Sequence, residues 1–152
     1  MLAKGEKSNA ILLSDVYLTS NDYVWSTQAK YPEGIQWKTL DDLKDNTFAF
    51  INGASYGQDA NYFIAANKQL FYGSDTLELS IRLLLAGRVD GLFHNEDIVK
   101  DYISRNNLAE TLVKSDKVLY SNQYMIGISQ KSCFASQIKK INEKIEKVNS
   151  LK

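Results

Sequence analysis

The stretch SDTLELSIRLLLAGRVDGLFHN, Ser74 to Asn95, decides how this chain is read. Asp75 and Glu78 stand at capping-box spacing, a partial match because the usual box begins with Ser or Thr. Leu77, Ile81, Leu84 and Leu85 then share one helical stripe, and Gly87 stands where a left-handed residue ends a helix. Val89 to Phe93 reads as a strand. Asn95 reads as the cap of a further helix with Ile98, Val99, Tyr102 and Ile103 on its inner face. Upstream, TFAFINGASYGQ from Thr47 to Gln58 repeats the logic. There a strand runs into a Gly/Ala/Ser turn that should open a helix faced by Ala60, Phe63 and Ile64. Polar strand ends beside helix starts are where an α/β sheet holds a small ligand.

Working outward, Tyr23 to Gln28 is rich in strand-favouring residues, and Thr39 is placed to cap a short helix through Leu43. Val118 to Tyr120 and Tyr124 to Ile128 read as two further strands. A last helix from about Phe134 carries Ile138, Ile141, Ile145 and Val148 at alternating spacings of three and four. Strands alternating with helices predict an α/β fold, with a mostly parallel sheet flanked by helices.

Composition narrows the function. The 152 residues fit one domain, and 18 basic residues balance 18 acidic ones, so no overall field favours nucleic acid. The single cysteine, Cys133, excludes an internal disulfide. No apolar run approaches a membrane span, and no basic start with an apolar stretch marks a signal peptide. His94 is the only histidine, and no zinc spacing, phosphate loop or dinucleotide glycine pattern is present, so no metal or cofactor is expected.

Four segments together resemble the extracytoplasmic solute-binding proteins of polar amino acid uptake systems, family 3 of the periplasmic binders. They are ILLSDVY with Tyr23-Val24, WKTLDDLKDNTFAFINGASYGQ from Trp37, LLLAGRVDGLFHNED from Leu83, and Tyr124 to Ile128 with the last helix. The resemblance implies a type II periplasmic binding fold, a two-lobed clamp that closes on its ligand. On that basis residues 23–120 form the second lobe whole. Residues 1–22 and 121–152 supply closing parts of the first lobe and the hinge strands, without that lobe's N-terminal part. The apolar faces of Ile11 to Leu13 and of the last helix then lack their usual neighbours, which predicts self-association as a dimer.

The resemblance also implies a site. Gly53, Ala54, Ser55 and Tyr56 fall where the family receives a ligand carboxylate on a helix start. From the residues alone, Ser55 is a helix cap and Gly53 a turn. Asn95 stands where the family's amino acid binders place an aspartate for the ligand's ammonium group, and here that charge is missing. Lys7 stands where the family has a clamping arginine, whose two-pronged bonding a lysine cannot reproduce. The implied function is binding of a small polar, amino-acid-like solute for the membrane subunits of an ABC-type uptake system, at a periplasmic or extracytoplasmic location and without catalysis. The alternatives are a sensory ligand-binding module, a degenerate lobe acting as a dimeric interaction protein, and, last, an enzyme using His94. Of the aromatic residues Tyr17, Tyr23, Trp25, Tyr56 and Phe93, most are expected to fill a core.

Overall fold

The computed structural model describes residues 11–151. Two compact units emerge among the described residues: Ser20–Asn122, and residues 11–19 together with 123–151.

The Ser20–Asn122 unit is built on a five-stranded sheet. Its strands are β2 (Leu18–Thr27), β3 (Phe48–Ile51), β4 (Phe71–Ser74), β5 (Gly91–Asn95) and β6 (Leu112–Tyr124), in the order β4-β3-β5-β2-β6. β3 runs parallel to both β4 and β5, while β2 joins β5 antiparallel with Asp22 opposite Asn95 and Val24 opposite Phe93. The fold is α/β as the alternation of elements predicts, and its sheet is mixed, with the parallel part confined to β4, β3 and β5.

Side chains alternate across each strand and so divide the core in two. On one face Tyr23, Trp25, Ala49 and Leu92 meet Ile81 and Leu84 of α2 (Leu77–Leu85) and Val99 of α3 (Glu96–Asn106). On the other, Val24, Phe48, Phe71 and Phe93 meet Ala60 and Phe63 of α1 (Gln58–Ala66) and Leu43 of a 3-10 turn, Leu40–Leu43. Leu85 and Ile98, expected to be inward, are exposed, because each lies at the margin of its helical stripe.

Local chemistry accounts for most element ends. Thr76, rather than Asp75, caps α2, its hydroxyl accepting the Leu79 N–H at 3.2 Å. Gly87 adopts φ 65° and closes that helix, with the Gly87 N–H reaching the Leu84 carbonyl and the Arg88 N–H reaching that of Leu83. The Asp42 carboxylate accepts the N–H groups of Lys38 and Thr39, which holds it below the usual carboxylate range and anchors the 3-10 turn.

Asp90 ties β5 to β3. Its carboxylate accepts the Thr47 N–H at 2.8 Å and the Thr47 hydroxyl at 3.0 Å and pairs with Lys30. Burial pushes this carboxyl up, but the bonds from Lys30 and Thr47 outweigh it and hold the group below its ordinary value. A depressed carboxyl stabilises the fold above its unfolded pKa, and that contribution is lost as pH falls through the folded one. Asp90→Asn should therefore lower stability at neutral pH by roughly 1–3 kcal/mol and flatten the acid limb of a melting-temperature profile. An unchanged profile would show that Asp90 is not a strut.

In the other unit β1 (Ile11–Leu13) pairs antiparallel with β7 (Gly127–Ser129), and α4 (Ile138–Asn149) follows a 3-10 turn, Ala135–Gln137. The last helix thus begins at Ile138 rather than near Phe134, which is exposed. Ile145 is buried, whereas Ile11, Leu13, Tyr17, Ile126 and Val148 are exposed. A hollow of about 530 Å³ runs beside Ile126, Ile141, Ile145 and Val148. No helix among the described residues is long and apolar enough to cross a membrane.

Candidate functional site

The expected site residues lie at the carboxyl ends of β3 and β5. Lys7 falls outside the described residues. After β3, Gly53 turns the chain at φ 76°, and the Ala54 N–H donates to the Ile51 carbonyl at 3.1 Å. The helix does not open there. Ser55 is not its cap, for α1 starts at Gln58 with Gly57 in the capping position at φ 84°. Glycine brings no side chain to that position, so the first N–H groups of α1 receive no capping bond and keep their partial positive charge.

Asn61, one turn into α1, reaches back over the loop. Its Oδ1 accepts the Tyr56 N–H at 3.0 Å and its Nδ2 donates to the Ser55 hydroxyl at 2.9 Å. Ser55 stays exposed while its hydroxyl is held in place. Ala54 and Asn61 also line a second hollow of about 410 Å³ with Asn52, Ile64 and Lys68. The larger hollow belongs to the other unit and lacks this set of strand-end polar groups, so volume does not choose the site here.

Tyr56 is buried. Its ring lies edge-on to Phe93 with centroids 6.0 Å apart, and its phenol oxygen accepts the Ile51 N–H at 3.0 Å. Burial pushes the phenol pKa up to about 12, with the charge of Asp22 adding to the effect. Tyr56 thus braces the turn from the core side. Tyr23, Trp25 and Phe93 are buried too, as most of the aromatic residues were expected to be, while Tyr17 is exposed.

Asn95 ends β5 and caps α3. Its Oδ1 accepts the N–H groups of Asp97 and Ile98 at 3.0 and 3.4 Å. Its Nδ2 donates to the Ser20 hydroxyl at 2.7 Å and, at 3.4 Å, to the Asn21 carbonyl and to Asp22 Oδ1. Across the neighbouring strand, Asn122 Nδ2 donates to Asp22 Oδ2 at 2.8 Å and the Ser121 hydroxyl to Asn21 Oδ1 at 2.6 Å. The Ser20 hydroxyl completes the set by donating to Asp97 at 3.0 Å.

Three members of this arrangement, Asp22, Asn122 and Tyr120, carried no signal in the sequence. The Tyr120 ring lies directly over Gly57, so that a Cβ added there would overlap it. Only the register of β2, β5 and β6 brings these residues to one edge. His94 pairs with Tyr23 and shares its face, opposite the face of Asn95 and Tyr56. Its Nδ1 accepts the Asn95 N–H at 2.8 Å, and burial pushes its pKa below the ordinary value, favouring the neutral ring. Among the described residues no group of His, Cys, Asp and Glu is arranged to hold a metal ion.

The fold is that of the type II periplasmic binding proteins. An ArgBP mutant from T. maritima matches with TM-score 0.65 and 19% identity over 99% of this chain and 61% of its own. The GluR0 ligand-binding core in complex with L-glutamate matches with TM-score 0.70 and 16% identity over 97% of this chain and 62% of its own. A solved second substrate-binding domain, assigned to an amino acid ABC transporter of Streptococcus pneumoniae, gives TM-score 0.67 and 16% identity over 99% and 63%. These neighbours are binding proteins and domains, and this chain spans less than two thirds of the length of each. The chain is α/β, with a mixed sheet flanked by helices in the manner of a single lobe of that fold. No protein-family model matches the sequence, and no curated protein matches it.

Proposed function

We propose that this chain binds a small polar, amino-acid-like solute at the strand-end edge of the Ser20–Asn122 unit, as part of the substrate-binding component of an ABC-type uptake system outside the cytoplasm. It performs no chemistry in this reading. The carrying observation is the uncapped start of α1 at Gly57, standing in the same unit as the polar cluster around Asn95. A carboxylate suits the first and a hydrogen-bonding group the second. Residues 23–120 serve as the ligand lobe, with Gly53, Ala54 and Ser55 approaching the solute by backbone and hydroxyl. Tyr56 contributes as a brace. The GluR0 ligand-binding cores among the neighbours favour a second reading, the same site used in a sensory module. The exposed apolar residues Ile11, Leu13, Tyr17 and Val148 favour self-association as the further partnership.

Titration calorimetry with L-arginine, L-glutamate and L-glutamine tests the binding. At least one should bind saturably. Ser55→Ala should weaken it by about five- to tenfold, the worth of one hydrogen bond, with the melting temperature unmoved. Asn95→Ala should weaken binding and also cost about 1 kcal/mol of stability, because it uncaps α3. If none of the three solutes binds, the reading is wrong.

A further inference from the structure

The fold buries a carboxylate, Asp22, beside the candidate site. Asp22 is 5% exposed, and no lysine or arginine pairs with it among the described residues. Two neutral amides meet it, Asn122 at 2.8 Å and Asn95 at 3.4 Å. An ionised carboxylate accepts about four hydrogen bonds, so half of its capacity is unused. Burial pushes its pKa above the ordinary value, with both amides pulling the other way. A buried charge met only by neutral donors is costly unless a cation completes it.

The surroundings place this charge at the candidate site. Asp22 is the direct cross-strand partner of Asn95, so their side chains share one face of the sheet. That face also holds Tyr56, which feels the Asp22 charge and whose backbone leads into Gly57 at the start of α1. Around Asp22 the cluster comprises Ser20, Asn21, Ser121 and Asp97, and among the described residues no lysine or arginine is hydrogen-bonded to these four. Negative charge at Asp22 and positive charge at the start of α1 are complementary to a solute bearing both signs.

Resting on the binding function proposed above, we infer that Asp22 anchors the cationic group of the solute, supplying from β2 the carboxylate that β5 lacks at Asn95. Asn95 and Asn122 are positioning residues, holding the two carboxylate oxygens and leaving their remaining lone pairs for an ammonium or guanidinium.

The test is calorimetry at neutral pH on the full chain with L-arginine, L-glutamate and glutaric acid, which is glutamate without its amino group. Asp22→Asn should bind the amino acid at least tenfold more weakly while melting within a few degrees of the parent, since it removes a buried charge but little volume. Adding Asn95→Asp should restore most of the affinity, because aspartate caps α3 as well as asparagine does and returns the charge to the same face. Glutaric acid should bind poorly to all three proteins. Parent-like affinity in Asp22→Asn, or glutaric acid binding as well as glutamate, would overturn the role of Asp22 and leave the binding function standing. A parent that binds neither of these amino acids nor L-glutamine overturns both.

Discussion

Phe93→Ala should lower the stability of the Ser20–Asn122 unit by about 3–5 kcal/mol. Phe93 is fully buried at the centre of β5, with Phe48, Phe71 and Tyr56 around it at centroid distances of 4.9, 5.3 and 6.0 Å. Truncation removes the apolar transfer of the ring and leaves a cavity bounded by three other rings. Those rings are held by β3, β4 and the brace at Tyr56, so they cannot close the gap. Typical domain stability is about 5–15 kcal/mol, so the variant should sit near the edge of folding. Urea denaturation would show a large drop in midpoint at nearly constant slope. A loss below about 1 kcal/mol would mean that this face of the sheet is not packed as described. Binding should fail with the fold, because Tyr56 loses its support.

Gly57→Ala should strike the site more directly. At φ 84° and ψ 165° the capping residue occupies a region essentially restricted to glycine, and an L-residue there costs of order 1–3 kcal/mol. A methyl group would also press into the Tyr120 ring. The ring must move or the start of α1 must shift, and either change disturbs the N–H groups offered to a carboxylate. The expected outcome is a destabilisation of at least about 2 kcal/mol and loss of measurable solute binding. Combining it with Tyr120→Ala relieves the overlap but not the backbone strain, so only part of the stability should return. Parent-like stability and affinity in Gly57→Ala would remove α1 from the site.

The two edge strands of the sheet were the elements hardest to read. β4 gives only Phe71-Tyr72-Gly73-Ser74, and β6 carries Lys114, Asp116 and Lys117 in its middle. Val118 to Tyr120 and Tyr124 to Ile128 looked like two strands, yet one strand spans Leu112–Tyr124 and Gly127–Ser129 forms a separate short one. Edge strands are commonly short and charged, which suppresses pairing with other chains and also erases the hydrophobic signal. Central strands β3 and β5 were legible because they begin buried on both faces and the runs Phe48–Ile51 and Gly91–Phe93 carry no polar side chain. The candidate site divides in the same way. Asn95 as a cap and Gly53 as a turn are local facts, visible from a few neighbouring residues. The missing helix opening at Ser55 reflects Asn61, which satisfies the turn from inside the next helix and leaves capping to a glycine.

The sequence by itself determined the presence of the helices, the glycine stop of α2 and the central strands, since periodicity and capping act over a few residues along the chain. It also determined the net neutrality and the single histidine and cysteine that bound the chemistry. Only the tertiary structure decided the antiparallel place of β2 and, with it, the meeting of Asp22 with Asn95 and Asn122, which stand 73 and 100 positions away. The placing of Tyr120 over Gly57 was decided the same way. Sheet register is set by burial on both faces at once, so contacts that depend on it leave no trace in any short stretch of residues.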